Sequence, residues 1–261
     1  MAAVAPGVWA TVSDLWSTGG GIIAGEGRCA LVDPGVFPRE IAAIERWCAR
    51  HGLEVVAGLS THAHWDHVLW PARLADVPRW ATSDTATLVT SERDRLVTAE
   101  LDRYADQWYT RWDVAAAGRL RPIPAAGELP WEGPRTVLVP VPGHMRGHAG
   151  VWVAEPGVLF CGDMLSDIEV PLLDEDASGP PALADYARGL RVLEALDGVR
   201  VLVPGHGSPT DAAGMRARLD ADWKYLEELS AASAAAQIPD SRLRSPTVAG
   251  LHLANLRVLT R

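Results

Sequence analysis

Lysine is almost missing from this 261-residue chain, in which Lys224 is the only one and arginine supplies the rest of the basic charge. The 24 basic residues are outnumbered by 33 acidic residues, which gives a formal net charge of −9 at pH 7. Proteins that bind RNA or DNA carry basic surfaces that neutralise phosphates. The charge balance therefore predicts no nucleic-acid partner.

Cysteine and long apolar runs are also scarce. The three cysteines, Cys29, Cys48 and Cys161, are too few and too far apart for a disulfide framework, which favours a reducing compartment. No apolar run approaches the roughly 18 residues of a transmembrane helix. The first residues show neither the basic nor the apolar region of a signal peptide. We therefore expect a cytoplasmic protein with no membrane partner.

The hydrophobic pattern predicts a layered α/β fold. Apolar residues at helical spacing indicate a helix over residues 38–50, followed by a buried strand, Val55–Leu59, that runs into Ser60-Thr61-His62. This order of strand, turn, helix and strand is typical of α/β domains. Further strands are predicted at 137–141, 151–153, 158–160 and 199–203, and further helices at 183–196 and 212–235. Because no repeat or linker interrupts the pattern, residues 1–261 are predicted to form a single domain.

Residues 84–118 differ from the rest because they are polar, rich in arginine and aspartate, and interspersed with aromatics. We interpret them as a helical insertion packed over the main body, with the potential to act as a lid. Its residues Trp108 and Trp112, together with Trp65, are candidate substrate-binding residues. The alternative is that these aromatics only attach the insertion to the body.

The histidines point to metal chemistry. Three of the eight lie in one short stretch, His62-Ala63-His64-Trp65-Asp66-His67, directly after a predicted strand. Neutral imidazoles mixed with a carboxylate are typical ligands of catalytic metal ions. Two more histidines, His144 and His206, each follow Pro-Gly after a valine-rich strand, and Asp163 follows another strand. The alternatives are a surface histidine cluster and hydrogen-bonded structural histidines.

In this order the residues resemble the signature of the metallo-β-lactamase superfamily, H-x-H-x-D-H followed by a histidine, an aspartate and a final histidine. The matching residues are His62, His64, Asp66, His67, His144, Asp163 and His206. Asp33-Pro34-Gly35 looks like the early Asp-x-Gly turn of the family, so the resemblance runs from there to Gly207. Within the superfamily, the chain looks similar to the glyoxalase II and lactonase-like branch.

The resemblance implies a four-layer αβ/βα sandwich with two metal ions at one rim. His62, His64 and His144 would hold the first ion, Asp66, His67 and His206 the second, and Asp163 would bridge them. Two Zn²⁺ ions per chain are expected, with iron or manganese as alternatives, and a metal-bound hydroxide would be the nucleophile. Asp66 would also be catalytic, orienting that hydroxide or moving a proton.

The expected function is hydrolysis of an ester, thioester or lactone bond in a small molecule. Glutathione-thioester hydrolases of the family anchor substrate with basic residues near the C-terminus, where this chain has Arg242, Arg244 and Arg257. Ordinary solubilising arginines are the alternative interpretation. Asp167 and Glu169, near the predicted metal rim, would repel anionic substrates.

Three other functions are open at this point. A mononuclear iron oxidoreductase of the persulfide dioxygenase type would use only some of the ligands, leaving His67 and His206 without a role. A β-lactam hydrolase is disfavoured because the secreted dinuclear lactamases lack the bridging aspartate, which here is Asp163. A non-enzymatic scaffold that kept the fold has no support from an intact ligand set. The sequence does not indicate an oligomeric state.

Overall fold

Two β-sheets form the centre of the computed structural model, which describes residues 1–100, 117, 119–123, 127–231 and 238–261. The first sheet contains β1 (Ala2–Ala5), β2 (Val8–Val12), β3 (Gly19–Ala24), β4 (Arg28–Val32), β5 (Glu54–Leu59), β6 (Arg79–Ala81) and β7 (Leu120–Pro122), which lie side by side in this order. Strands β1 to β4 are antiparallel neighbours, whereas β4 to β7 are parallel.

The second sheet has the spatial order β12-β11-β10-β9-β8. Its strands are β8 (Thr136–Pro140), β9 (Ala149–Val153), β10 (Val158–Phe160), β11 (Val201–Val203) and β12 (Thr210–Asp211). Only β10 and β11 are parallel in this sheet. Their carboxyl ends therefore meet at one edge, where the chain leaves each strand for a loop.

The described helices are α1 (Pro38–Arg50), α2 (Trp65–Val68), α3 (Ser83–Ser91), α4 (Pro180–Glu194), α5 (Ala212–Ala231) and α6 (Pro246–Thr260). Single turns occur at Ala72–Leu74, Asp94–Thr98 and Ser241–Arg244. Helix α1 begins at a proline, which lacks only an N–H that would have no partner inside the helix. The Glu40 side chain accepts a hydrogen bond of 3.0 Å from the N–H of Phe37, which satisfies a further donor at this end.

Side-chain alternation divides the apolar residues into layers. In β3, Ile23 faces the core between the sheets, while its neighbour Ile22 packs outward against the residues of α1. In β10, Phe160 faces the same inner core and Leu159 packs outward against Tyr186 and other residues of α4 and α5. Successive side chains of a strand point to opposite faces, so each sheet has one face in the inner core and one under helices. The predicted four-layer α/β sandwich is confirmed.

Several element boundaries agree with the prediction and others differ. Helix α1 covers the predicted residues 38–50, and β10 matches 158–160. Helix α4 begins at Pro180, three residues before the predicted start, because a proline at the first helical position is compatible with helix formation. Strand β11 begins at Val201 rather than residue 199. Helix α5 is described as far as Ala231, and the last part of the predicted 212–235 lies outside the described residues.

The predicted insertion at 84–118 is described only in part. Helix α3 and the turn Asp94–Thr98 are helical, as expected, whereas Trp108 and Trp112 lie outside the described residues. The insertion and the single-domain organisation of residues 1–261 stay predictions. Within the described ranges, no helix combines the length and the apolar character needed to cross a lipid bilayer.

Candidate metal centre

The His-x-His-x-Asp-His stretch begins where β5 ends at the edge of the first sheet. After Leu59 the chain turns inward through Ser60 and Thr61, so that His62 is fully buried. Helix α2 then starts directly after His64 and directs Asp66 and His67 to the same side. One strand end and one helical turn thereby bring four potential ligands together.

The second sheet supplies the other three residues. His144, Asp163 and His206 follow β8, β10 and β11, respectively, each within four residues of the strand end. The sheets are joined at this point, because Thr18 forms an isolated antiparallel bridge with His206. All seven predicted ligands therefore lie at one rim between the two sheets.

Four of these residues form one set of potential ligands. His62, His64, His144 and Asp163 each present one ligand atom, and these atoms lie within 4.8 Å of one another. The Nδ1 atom of His64 is 3.0 Å from Nε2 of His62 and 3.1 Å from Nε2 of His144. The Oδ2 atom of Asp163 is 3.3 Å and 3.4 Å from the same two Nε2 atoms.

Asp66, His67 and His206 form the second set, also within 4.8 Å. The Oδ2 atom of Asp66 lies 3.4 Å from Nε2 of His67 and 3.5 Å from Nε2 of His206. Asp163 reaches this set too, since its Oδ1 is 3.1 Å from Nε2 of His67 and its Oδ2 is 3.3 Å from Nε2 of His206. Asp163 is thus placed between the two sets, where the resemblance put a bridging ligand.

Backbone and side-chain acceptors hold the opposite nitrogen of four of the histidines. The Nδ1–H groups of His144 and His206 donate to the carbonyls of Leu172 and Trp16, each at 3.1 Å. The Nδ1–H of His67 donates to Asp33 at 2.9 Å, and that of His62 donates to the Thr61 hydroxyl at 2.9 Å. A proton on Nδ1 leaves the Nε2 lone pair of each neutral ring aimed at the centre, as metal-binding histidines require.

The geometry fits bound metal better than a hydrogen-bonded cluster. Nε2 of His67 and Oδ1 of Asp163 are buried and have no hydrogen-bond partner among the residues that the structure describes, although they are only 3.1 Å apart. Such unsatisfied buried atoms are costly and need a physical reason. Ligands bound to one tetrahedral zinc ion at about 2.0–2.1 Å lie about 3.3 Å from each other, which is close to most distances measured here.

The charges of the cluster depend strongly on one another. Burial lowers the pKa of His62 and His144 well below the ordinary value, which favours the neutral form that binds metal. Burial would also lower the pKa of His67, but the Asp163 and Asp66 carboxylates outweigh it and raise that pKa. Burial likewise opposes ionisation of Asp163, yet His67 and His206 hold the pKa of this carboxyl well below its usual range.

Two residues outside the ligand sets support the ligands. By the family resemblance, His148, four residues after His144, was expected to be a supporting or structural residue and not a ligand, whereas no such role was assigned to Asp33. Asp33, interpreted only as part of a turn, is buried and accepts hydrogen bonds from the N–H of Thr61 at 3.0 Å, its hydroxyl at 2.6 Å, and His67. His148 donates from Nδ1 to the Val141 carbonyl at 2.9 Å and accepts the N–H of Asp163 at Nε2. Burial lowers the pKa of His148 to about 4, which keeps Nε2 free to accept. The only sequence signal for a role of Asp33 is its position in the turn that follows a predicted strand.

A cavity of about 430 Å³ opens over the two ligand sets. Trp65, a predicted substrate-binding residue, lines it next to Trp16, and the two rings meet edge to face with centroids 5.8 Å apart. The other two predicted residues, Trp108 and Trp112, cannot be placed because they lie outside the described part of the chain.

Arg242, considered above as a substrate anchor, is occupied within the protein. Its guanidinium bonds to Asp222 at 2.7 Å and Asp240 at 2.8 Å, and it donates to the carbonyls of Ser166 and Glu169. Its side chain is only 8% exposed. Arg242 therefore positions the loop after Asp163 and has no donor directed into the cavity.

The fold and the seven converging residues are those of a metal-dependent hydrolase superfamily. The chain belongs to the metallo-beta-lactamase superfamily, whose sequence profile matches residues 21–206. This span contains every residue of both ligand sets. Most members of the superfamily are metal-dependent hydrolases, and the clustered histidines and aspartates indicate a metal cofactor here too.

The chain is also similar to particular proteins. The hydroxyacylglutathione hydrolase of Rhodospirillum rubrum is 27% identical over 176 residues, which cover 65% of this chain and 54% of the relative. The chain thus spans about half the length of this curated relative. A beta-lactamase domain protein from Burkholderia ambifaria superposes with a TM-score of 0.68 at 23% identity, covering 98% of this chain and 87% of that one.

A metallo-beta-lactamase family protein from Thermus thermophilus gives a TM-score of 0.66 at 23% identity, covering 99% of this chain and 94% of that chain. At this identity the two solved structures establish the likeness of fold alone.

Proposed function

We propose that the protein is a dinuclear zinc hydrolase that cleaves an ester, thioester or lactone bond in a small molecule. The observation that carries this proposal is the convergence of two ligand sets from both sheets on a shared aspartate, Asp163. Three or four protein ligands for each ion leave room for water or substrate, as in catalytic zinc sites.

His62, His64 and His144 would hold one zinc ion and Asp66, His67 and His206 the other, with Asp163 between them. When bound, the two ions supply a nucleophile at neutral pH by lowering the pKa of water, and they polarise the scissile carbonyl. One water is consumed, the acyl–oxygen or acyl–sulfur bond breaks, and a carboxylic acid and an alcohol or thiol result. No electrons are transferred, so no redox partner is needed.

Asp66 is suited to hold a proton or to orient the nucleophile. It is 4% exposed, and its Oδ2 accepts a hydrogen bond of 3.4 Å from the Thr18 hydroxyl. The same hydroxyl also contacts the Leu15 carbonyl at 3.0 Å, which limits its rotation. The Thr18 hydroxyl thus helps to hold the Asp66 carboxylate in a fixed position, which a group that transfers protons needs.

The cavity supports a small-molecule substrate rather than a polymer. A volume of about 430 Å³ lies within the range of ligand pockets. The 27% identical relative, named for hydrolysis of a hydroxyacylglutathione, favours thioesters among the three bond classes. Esters and lactones stay in the proposal because the same carbonyl chemistry serves all three.

A substrate panel tests this proposal. The zinc-loaded protein would be assayed on an aryl ester, an acyl thioester, an acyl lactone and a β-lactam, beside the variants His144→Ala and His51→Ala. His51 is a partner of Trp47 at the C-terminal end of α1 and serves as a matched control. We expect turnover of at least one acyl substrate that His144→Ala reduces by at least about 10³-fold and His51→Ala leaves unchanged. Turnover of the β-lactam alone, or turnover that both variants retain, would contradict the proposal.

Metal analysis distinguishes zinc hydrolysis from the iron oxidoreductase alternative. We expect two zinc ions per chain in the active protein. A single iron per chain, with oxygen consumption on a persulfide, would replace this proposal with the dioxygenase reaction.

A further inference from the structure

The walls of the cavity over the candidate metal centre carry carboxylates, whereas the one arginine among its described lining residues is already paired with carboxylates. Glu169, Asp174, Glu175 and Asp176 all line the cavity. They lie in the loop between β10 and α4, beyond Asp163. At the same centre, buried atoms of His67 and Asp163 have no hydrogen-bond partner among the described residues, as expected of metal ligands.

Among the described lining residues, Arg95 is the only arginine, and no lysine lines the cavity. Its guanidinium pairs with Glu92 at 2.6 Å and with Asp176 at 2.9 Å. These two carboxylates already balance its charge, so Arg95 offers little to an anionic substrate. Asp222, another lining residue, is in turn balanced by Arg242.

Glu169 is balanced less than these residues. Among the described residues its carboxylate forms neither an ion pair nor a side-chain hydrogen bond, and its backbone is held by Ser166 Oγ and Arg242. Burial raises the pKa of the Glu169 carboxyl group, and the nearby His206 offsets this effect in part. Asp167, two residues earlier, turns away and accepts the N–H of Ser208 at 2.8 Å. Of the two carboxylates considered from the sequence, Glu169 is therefore the one that faces substrate.

The cavity also has an apolar part of its lining. Trp16, Trp65, Leu96, Met145 and Leu251 line it and would cover a hydrocarbon chain. A positive charge placed beside the Glu169 carboxylate, away from the metal ions, is favoured by that carboxylate, and a negative charge at the same place is disfavoured. Apolar contact and one carboxylate together match an acyl chain with a cationic end.

We propose that this cavity selects acyl substrates that carry a positively charged group, which Glu169 recognises, and that it discriminates against anionic ones. The proposal rests on the hydrolase function proposed above and narrows its substrate class. It also predicts a substrate preference different from that of an enzyme for glutathione thioesters, since glutathione carries net negative charge at neutral pH.

Three p-nitrophenyl esters of matched shape test the proposal on the zinc-loaded protein. Their acyl groups are 4-(trimethylammonio)butanoyl, its uncharged isostere 5,5-dimethylhexanoyl, and an adipoyl chain that ends in a carboxylate; thioesters of the same acids serve if esters react slowly. We expect kcat/KM to fall in the order cationic, uncharged, anionic, with about tenfold between the first two.

The variant Glu169→Gln is expected to reduce the preference for the cationic over the uncharged ester to about twofold or less, where the preference is the ratio of the two kcat/KM values measured on the same variant. Glu194→Gln, an exposed residue of α4, is the matched control and should keep the preference. Thermal unfolding of both variants verifies that they are folded.

Equal kcat/KM for the cationic and uncharged esters in the unmodified protein would overturn the charge selection. A Glu169→Gln variant that loses activity equally on all three esters would also overturn it, because the residue would then act on the metal centre rather than on substrate charge. The proposed hydrolase function is tested separately by the uncharged ester: if its turnover disappears in His144→Ala, the hydrolase proposal stands whatever the charge preference is.

Discussion

Asp33 connects two of the candidate metal ligands through its carboxylate. It accepts the Nδ1–H of His67 directly and reaches His62 through the Thr61 hydroxyl. The carboxylate is 2% exposed, so few water molecules compete with these bonds. Hydrogen bonds of this kind fix the ring orientation and raise the basicity of the coordinating nitrogen.

The variant Asp33→Asn tests this role. An amide places an NH₂ group where the carboxylate now accepts, so at least one hydrogen bond to Thr61 or His67 is lost. We expect zinc affinity to fall by about 10–100-fold, measured by competition with a chelator of known affinity. Asp14→Asn, at an exposed aspartate paired with Arg39, is the control. Unchanged affinity in Asp33→Asn would show that the ligand rings are held by other contacts.

A second buried carboxylate, Asp222, predicts a particular dependence of stability on pH. Burial raises its pKa from 3.8 to about 6, and the nearby Arg242 offsets this effect only in part. Because the pKa is higher in the folded state, the contribution of Asp222 to stability is complete below pH 3.8 and is lost as the pH rises through about 6.

The variant Asp222→Asn cannot ionise and should lack this dependence. We compare the free energies of unfolding of Asp222→Asn and of the unmodified protein, both measured by urea unfolding at several pH values. The difference, variant minus unmodified protein, is expected to increase by about 1–3 kcal/mol from pH 4 to pH 7. Asp185→Asn, at an exposed residue of α4, should show a constant difference. A constant difference for Asp222→Asn as well would contradict the raised pKa.

Among the elements, the two Pro-Gly-His turns depend on glycine for different reasons. Gly143 adopts φ +119°, a backbone conformation that side chains disfavour, so glycine is needed there for a sharp turn. Gly205 has no positive φ; instead, a Cβ atom there would lie 2.0 Å from Oδ1 of Asp163. Glycine at Gly205 is therefore needed for space beside Asp163.

We expect Gly205→Ala to displace Asp163 and to reduce zinc affinity and kcat/KM by at least about tenfold. Gly250→Ala is a suitable comparison, because a Cβ at this position in α6 meets no atom within 4 Å. The comparison variant should gain about 0.5–1 kcal/mol of stability, since alanine is the better helix former. Zinc titration and thermal unfolding measure both effects, and normal zinc binding by Gly205→Ala would refute the steric argument.

Helix α6 contains a buried polar residue that the sequence pattern does not predict. Val248 and Val258 are buried at helical spacing, but the position between them on the same face is Asn255, which interrupts the apolar pattern. The Asn255 side chain accepts the N–H of Leu173 at 2.8 Å and donates to the carbonyl of Pro171. These partners lie more than 80 residues away, so no local pattern could predict that a buried asparagine belongs to the core.

The candidate metal centre likewise contains features that the sequence pattern predicts and features that it does not. The convergence of the candidate ligands could be predicted because an ordered set of histidines and aspartates, each placed after a strand, rarely occurs without a metal to bind. The contacts of Asp33 with His67 and of His148 with Asp163 could not be predicted, because they depend on distances between residues far apart along the chain.

For the acidic lining, the sequence predicted only that Asp167 and Glu169 lie near the metal rim; it does not reveal that Glu169 lines the cavity while Asp167 turns to Ser208. Asp174, Glu175 and Asp176 were interpreted as a solvated loop, whereas they also line the cavity.

At the scale of the whole molecule, the candidate ligands belong to both sheets, so bound metal would connect them. A ligand that binds only the folded state stabilises it by about 4 kcal/mol at a free concentration of 1,000 times its Kd. For a chain of this size that corresponds to about 8–16 °C in Tm. Calorimetry with and without a chelator measures the difference, which His144→Ala should reduce. A Tm that chelator does not change would show that the sheets are joined by packing alone.

The distribution of the ligands along the chain also sets an order of events during synthesis. The ribosome produces His62, His64, Asp66 and His67 first, and His206 follows 139 residues after His67, about 7–28 s later at 5–20 residues per second. Neither ligand set is complete when the first four residues emerge, because one still lacks His144 and Asp163 and the other lacks His206. A nascent chain therefore cannot carry both ions, and full loading with metal follows translation of the second sheet.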